Sequence, residues 1–181
     1  MAEDKLAEQE YALAHPPKKW VPGMRAFGYL ALVASSFAVG TAAMGIASYF
    51  LQKYGNIFNV QRYPDMYTMH TINLALFNGI WTMIICLGAW ALPLAFLAFL
   101  VFSATVMWAV IGGIFTVHVP FVKSGCSASS AKWARFVGQC KYYISLDALA
   151  WVCFALMLIW FVILVADIIV TKRKRHYLLG E

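Results

Sequence analysis

Apolar residues fall into four long runs, at roughly 26–51, 66–90, 93–118 and 145–170, separated by shorter polar intervals. As α-helices rising about 1.5 Å per residue, all four can cross a hydrocarbon layer about 30 Å thick. The pattern predicts an all-α, integral-membrane fold: an antiparallel four-transmembrane-helix bundle. A tail over 1–24 precedes the transmembrane domain (25–170), and a short tail over 171–181 follows it. Between the second and third runs, Trp90 to Pro93 leaves almost no polar linker, so those two spans form a tight hairpin. Proline suits the first turn of a restarting helix.

Within the spans, small and polar residues mark the faces that approach other helices. Lipid tails are as apolar as leucine, so helices associate there by close backbone approach rather than by greasiness. Ala34, Ala38 and Ala42 lie four apart on one face of the first span, which is read as packing inside the bundle or, secondarily, as a dimer face. The second span is the most polar of the four. Its Thr71, Ala75, Asn78 and Thr82 share a face that must point inward, since an amide facing lipid has no partner. In the third span, Ala109 and Gly113, beside Gly112, offer another contact patch.

Composition agrees with this division. The 181 residues are 62% hydrophobic and 12% charged, against about half apolar and about a quarter charged in soluble domains. The start is polar and acidic, with no basic segment leading into an apolar core, so the first span is expected to serve as the targeting signal. Pro16 and Pro17 end any helix in the tail, and Lys18, Lys19, Trp20 and Arg25 read as an interfacial anchor. The net charge of +6 comes largely from cations beside spans, which points to anionic lipid and away from nucleic acid. Lys172, Arg173, Lys174 and Arg175 form the densest group, both a stop-transfer signal and a candidate lipid-binding site.

Topology turns on the long interval over 119–144. Cytosolic termini collect Lys18, Lys19, Arg25 and the terminal cluster; the opposite side then holds Lys53, Arg62, Lys123, Lys132, Arg135 and Lys141. The cation tally favours cytosolic termini by a small margin. Cys126 and Cys140 add to it, since a pair in one loop forms a disulfide on an oxidising side. The other reading is two free or metal-binding thiols, although their spacing is no standard zinc pattern. Cys86 and Cys153 read as small buried groups within spans.

Candidate chemistry is sparse. His70 and His118 sit near the same end of the predicted hairpin, where a bis-histidine haem would hang; simple polar packing at headgroup level is the competing reading. Asp147 opens the last span and is expected to join His70 and Asn73 in a small polar cluster. Asp167 closes that span beside Lys172 and Arg173. No nucleophile–base spacing and no mid-membrane acid is present, so neither catalysis nor ion transport is expected. No cofactor or metal is expected.

Four spans, a cysteine-free first outer loop, a minimal inner turn and a Cys…Cys loop before a last span beginning YYISLDALAWVCFALMLIWF together resemble the MARVEL-type tetraspan proteins, particularly their small fungal branch. The residues carrying the resemblance are Cys126, Cys140, Ala148, Ala150 and Trp151, over an architecture of roughly 25–170. The claudin and tetraspanin cysteine patterns are absent. The resemblance implies a non-enzymatic protein of the plasma membrane that organises membrane domains, traffic or contacts. Its expected partners are anionic lipid, with sterol a further candidate, and a second copy or another membrane protein. An accessory subunit of a larger membrane enzyme or transporter, and the haem-binding electron carrier, are the alternatives.

Overall fold

The structure, a computed structural model, describes residues 24–55, 62–124, 126 and 131–179. The Lys18, Lys19 and Trp20 anchor lies outside the described residues. The chain divides into two compact units, Met1–Leu30 and Ala31–Glu181. In the first, the described residues are the opening turns of the first helix.

All regular structure among the described residues is helical. The elements are α1 (Met24–Tyr54), α2 (Met66–Gly88), α3 (Leu94–His118), α4 (Pro120–Ser124), α5 (Ala131–Ala134), a 3-10 turn (Val137–Gln139) and α6 (Cys140–Leu179). Four of these are long and apolar enough to cross a membrane. The protein is a multi-pass, all-α membrane protein.

Each long helix buries a narrow stripe and leaves the remainder greasy. On α1 from Ala31 onward the stripe is Val33, Ser36, Gly40, Ala43, Ala47 and Phe50; on α6 it is Tyr143, Leu146, Asp147, Ala150, Cys153, Met157, Trp160 and Leu164. Both repeat every three or four residues, the period of one helical face. Phe96, Phe99 and Val106 on α3, and Ile159, Val162 and Ile163 on α6, stay exposed. Such flanks belong in lipid.

Paired contacts fix the helix directions. Gly40 approaches Thr82 while Met44 approaches Gly79, so α1 and α2 run antiparallel. Thr116 meets Asp147, and Phe102 meets Phe161, which sets α3 antiparallel to α6. The α2–α3 hairpin is as tight as expected. The Ala91 and Leu92 amides donate to the Gly88 carbonyl at 3.0 and 3.2 Å, and the Leu97 amide donates to Pro93 at 2.9 Å.

Two boundaries differ from the sequence reading. The last helix begins at Cys140 instead of 145, and the interval before it is built from α4, α5 and the 3-10 turn. Cys140 and Tyr143 are both buried, so tertiary contacts extend the helix into a stretch whose polarity reads as loop. At its other end α6 continues through the predicted 171–181 tail to Leu179. Its 40 residues make about 60 Å of helix, twice the depth of a hydrocarbon layer.

Candidate functional site

At one end of the bundle the loops close over an aromatic cluster. Tyr143, fully buried, is its centre: its ring centroid lies 4.5 Å from Phe50, 5.7 Å from Trp133, 6.1 Å from Phe121 and 6.5 Å from Phe115. Phe136 adds a second layer against Tyr54 at 5.3 Å and Trp133 at 6.2 Å. Five elements and the segment before the 3-10 turn thus meet in one apolar head. Cys126 and Cys140 form a disulfide, with Cα atoms 5.4 Å apart. The bridge ties the first residue of α6 to the segment between α4 and α5.

The first loop closes on the same end. Gly55, at φ 87, follows α1 in the left-handed conformation that glycine adopts without penalty. Its amide donates to the Leu51 carbonyl and its carbonyl accepts from the Tyr63 hydroxyl, both at 2.8 Å. Burial, and then the neighbouring Tyr54, push the Tyr63 phenol above its ordinary pKa. Asp65 caps α2 by accepting from the Thr68 amide at 2.6 Å.

Deeper in the bundle, the polar stripe of α2 points inward as predicted: Thr71, Ala75, Asn78 and Thr82 are all buried. Trp108 Nε1 on α3 donates to Thr82 Oγ1 at 3.1 Å, and Asn78 Nδ2 donates to the Ala104 carbonyl at 3.4 Å. On the opposite flank, α1 comes close enough that a Cβ on Gly79 would sit 2.8 Å from Met44 Cβ and 3.2 Å from the Gly40 carbonyl oxygen.

The small-residue faces fall differently from the sequence reading. Ala34, Ala38 and Ala42 do not pack inside the bundle; all three are exposed. The neighbouring stripe Ser36, Gly40, Ala43, Ala47 takes that place. A helix apolar all round gives no hydrophobic contrast to separate two small faces, so sequence alone had little basis for choosing. On α3 the close contact is made by Gly112, whose Cβ would meet the Trp151 indole at 3.0–3.2 Å, while a Cβ on Gly113 would meet nothing within 4 Å. Ala109 is half-buried.

Gly112 belongs to a polar seam between α3 and α6. Thr116 Oγ1 lies 2.8 Å from the Gly112 carbonyl oxygen and 3.2 Å from Asp147 Oδ1, and accepts from Trp151 Nε1 at 3.2 Å. Asp147 is 7% exposed. This replaces the expected grouping of Asp147 with Asn73 and His70. The Asn73 amide donates to the Met69 carbonyl on its own helix at 3.0 Å. Asp147 and Trp151 lie four apart on one helix and Gly112 and Thr116 four apart on another, so each pair shares a face, but nothing in the sequence joined the two pairs.

His118 stacks on Tyr67 at 4.7 Å, and both His118 and His70 are exposed. Among the described residues no three His, Cys, Asp or Glu side chains converge as a metal site requires. Cys86 and Cys153 are buried free thiols. Lys172, Arg173, Lys174 and Arg175 occupy consecutive positions on the helical backbone of α6; their side chains lie outside the described residues.

Fold and site define a four-span, disulfide-capped membrane protein. Comparison with known proteins finds no matching family model, no matching curated protein and no matching solved structure.

Proposed function

We propose that the protein is a non-enzymatic, MARVEL-like organiser that assembles laterally in the plasma membrane, with both termini cytosolic and the disulfide-bonded head outside. The observation that carries this reading is the exposed small face of α1, Ala34, Ala38 and Ala42. With the bundle's own packing met by Ser36, Gly40 and Ala43, this second face remains free for a helix of another copy. Small residues there permit the close backbone approach on which association in lipid depends. The cluster Lys172–Arg175, carried on helix beyond the apolar stretch, attracts an anionic inner leaflet by about 1 kcal/mol per cation, screened by salt.

Replacing Ala34, Ala38 and Ala42 together by leucine tests the reading in full-length protein reconstituted in bilayers. Leucine keeps the face apolar but holds helices apart, so insertion and the disulfide persist while chemical cross-linking between copies is lost. Cross-linking that survives the triple change would defeat the self-association reading. A fixed stoichiometry with a different membrane protein after gentle extraction would favour the accessory-subunit reading instead. Changing the four terminal cations to glutamine should weaken binding to anionic vesicles and leave binding to neutral vesicles unchanged.

A further inference from the structure

Asp147 and the Gly112 carbonyl both lie within reach of one hydroxyl hydrogen, that of Thr116, and the shorter contact is with Gly112. Thr116 has a single hydroxyl hydrogen and two acceptor lone pairs. Trp151 Nε1 can only donate, so its 3.2 Å bond takes one lone pair. The shortest contact, 2.8 Å to the Gly112 carbonyl, requires the hydroxyl hydrogen, because a carbonyl cannot donate. The remaining 3.2 Å contact with Asp147 Oδ1 then sets a lone pair of Thr116 against the carboxyl oxygen. With the Thr116 hydrogen on Gly112, that contact repels an ionised Asp147 and bonds one that supplies the hydrogen itself.

From this geometry we infer that Asp147 is a proton-binding site: it carries a proton and donates it to Thr116, completing the chain Asp147 to Thr116 to Gly112 with Trp151 as second donor. An ionised carboxylate that is 7% exposed, with no cation partner among the described residues, would also be costly. The described titratable groups on the surrounding elements are engaged with other partners or exposed. On α3, His118 is stacked on Tyr67. On α1, Lys53 Nζ bonds the Tyr49 hydroxyl. On α2, Asp65 caps Thr68 and His70 is exposed. On α6, Lys141 is exposed and Tyr143 lies in the aromatic head. The Lys123 side chain on α4 lies outside the described residues.

Release of the proton has a structural consequence. The Thr116 hydrogen turns from the Gly112 carbonyl to the new carboxylate, so proton occupancy is linked to the α3–α6 seam where Trp151 lies on Gly112. This inference is independent of lateral assembly.

The test is infrared difference spectroscopy of the full chain, labelled with carbon-13 aspartate, in lipid nanodiscs at pH 7. In wild type minus Asp147→Asn, one carbonyl band of a protonated carboxylic acid should be lost. Thr116→Val removes the acceptor and should move that band to higher frequency, whereas Thr116→Ser should leave it in place. If Asp147→Asn or Thr116→Val fails to fold, the wild-type band should still vanish reversibly on alkalinisation, and Trp151→Phe should retain it at pH 7. Loss of carboxylate bands alone in Asp147→Asn, a band that Thr116→Val leaves unmoved, or a wild-type aspartate spectrum without any protonated carboxyl at pH 7 would overturn the assignment.

Discussion

A Cβ on Gly79 would lie 2.8 Å from Met44 Cβ, closer than real Cβ atoms come, and 3.2 Å from the Gly40 carbonyl oxygen. Neither neighbour is the far end of a flexible side chain. Helix α1 itself must therefore move to admit one methyl group on α2. Gly79→Ala is expected to destabilise the bundle by about 1–3 kcal/mol, the usual range for overpacking. Gly45→Ala and Gly113→Ala, where the added Cβ meets nothing within 4 Å, should change it by less than about 0.5 kcal/mol. Thermal unfolding followed in one detergent by loss of monodisperse protein compares all three.

The disulfide links residues 14 apart in sequence and fastens the start of α6 under the aromatic head. The chain-entropy account gives about 3 kcal/mol for a loop of this length. Cys126→Ala with Cys140→Ala, or addition of reductant to the wild type, should lower thermal stability, and reductant should leave the double variant unaffected. Intact mass after alkylation without reductant checks the bond directly. Uptake of alkylating agent at both positions in the folded protein would contradict it.

Trp108 Nε1 donating to Thr82 Oγ1 joins α2 to α3 far from water. Thr82→Val keeps the shape and strands the indole hydrogen; Trp108→Phe removes it but also leaves a void. The pair is best measured as a double-mutant cycle, in which only the coupling reports the bond. A coupling of about 0.6 kcal/mol is expected, typical of hydrogen bonds inside membrane proteins.

Tyr63 predicts an alkaline response of the first loop. Its phenol is pushed above the ordinary tyrosine value by burial, with Tyr54 adding to the effect. A group whose pKa rises on folding stabilises the fold fully below its unfolded value and loses that contribution as pH climbs through the folded one. The bond from Tyr63 to the Gly55 carbonyl should therefore hold at neutral pH and weaken only above about pH 10. Phenolate absorbance of wild type minus Tyr63→Phe should show a late-ionising tyrosine, and proteolysis in the first loop should rise over the same pH interval in wild type alone.

Much of the fold was legible because lipid imposes it. Four runs of sufficient length, a polar stripe at Thr71, Ala75, Asn78 and Thr82 and the unlinked Trp90–Pro93 turn give four spans, one inward face and one hairpin. Each follows from the cost of placing unsatisfied polar groups in hydrocarbon. The two cysteines isolated in one polar interval likewise marked the pair that the structure bridges.

The sequence could not decide which of two small faces on α1 meets the bundle. Ala34, Ala38, Ala42 and Ser36, Gly40, Ala43 are equally small, and hydrophobic contrast vanishes on a helix that is apolar all round. The choice depends on how α1 is rotated against Gly79 and Thr82, which only the packed bundle sets. The same holds for Asp147: its place at the head of a span was visible, but its partner was not. Thr116 lies 31 residues away on α3, and Gly112, by lacking a side chain, lets Trp151 close over that contact. Local pattern determined the helices and the inward stripe of α2; long-range packing decided which small face of α1 stays free and which hydroxyl meets the one buried carboxyl group among the described residues.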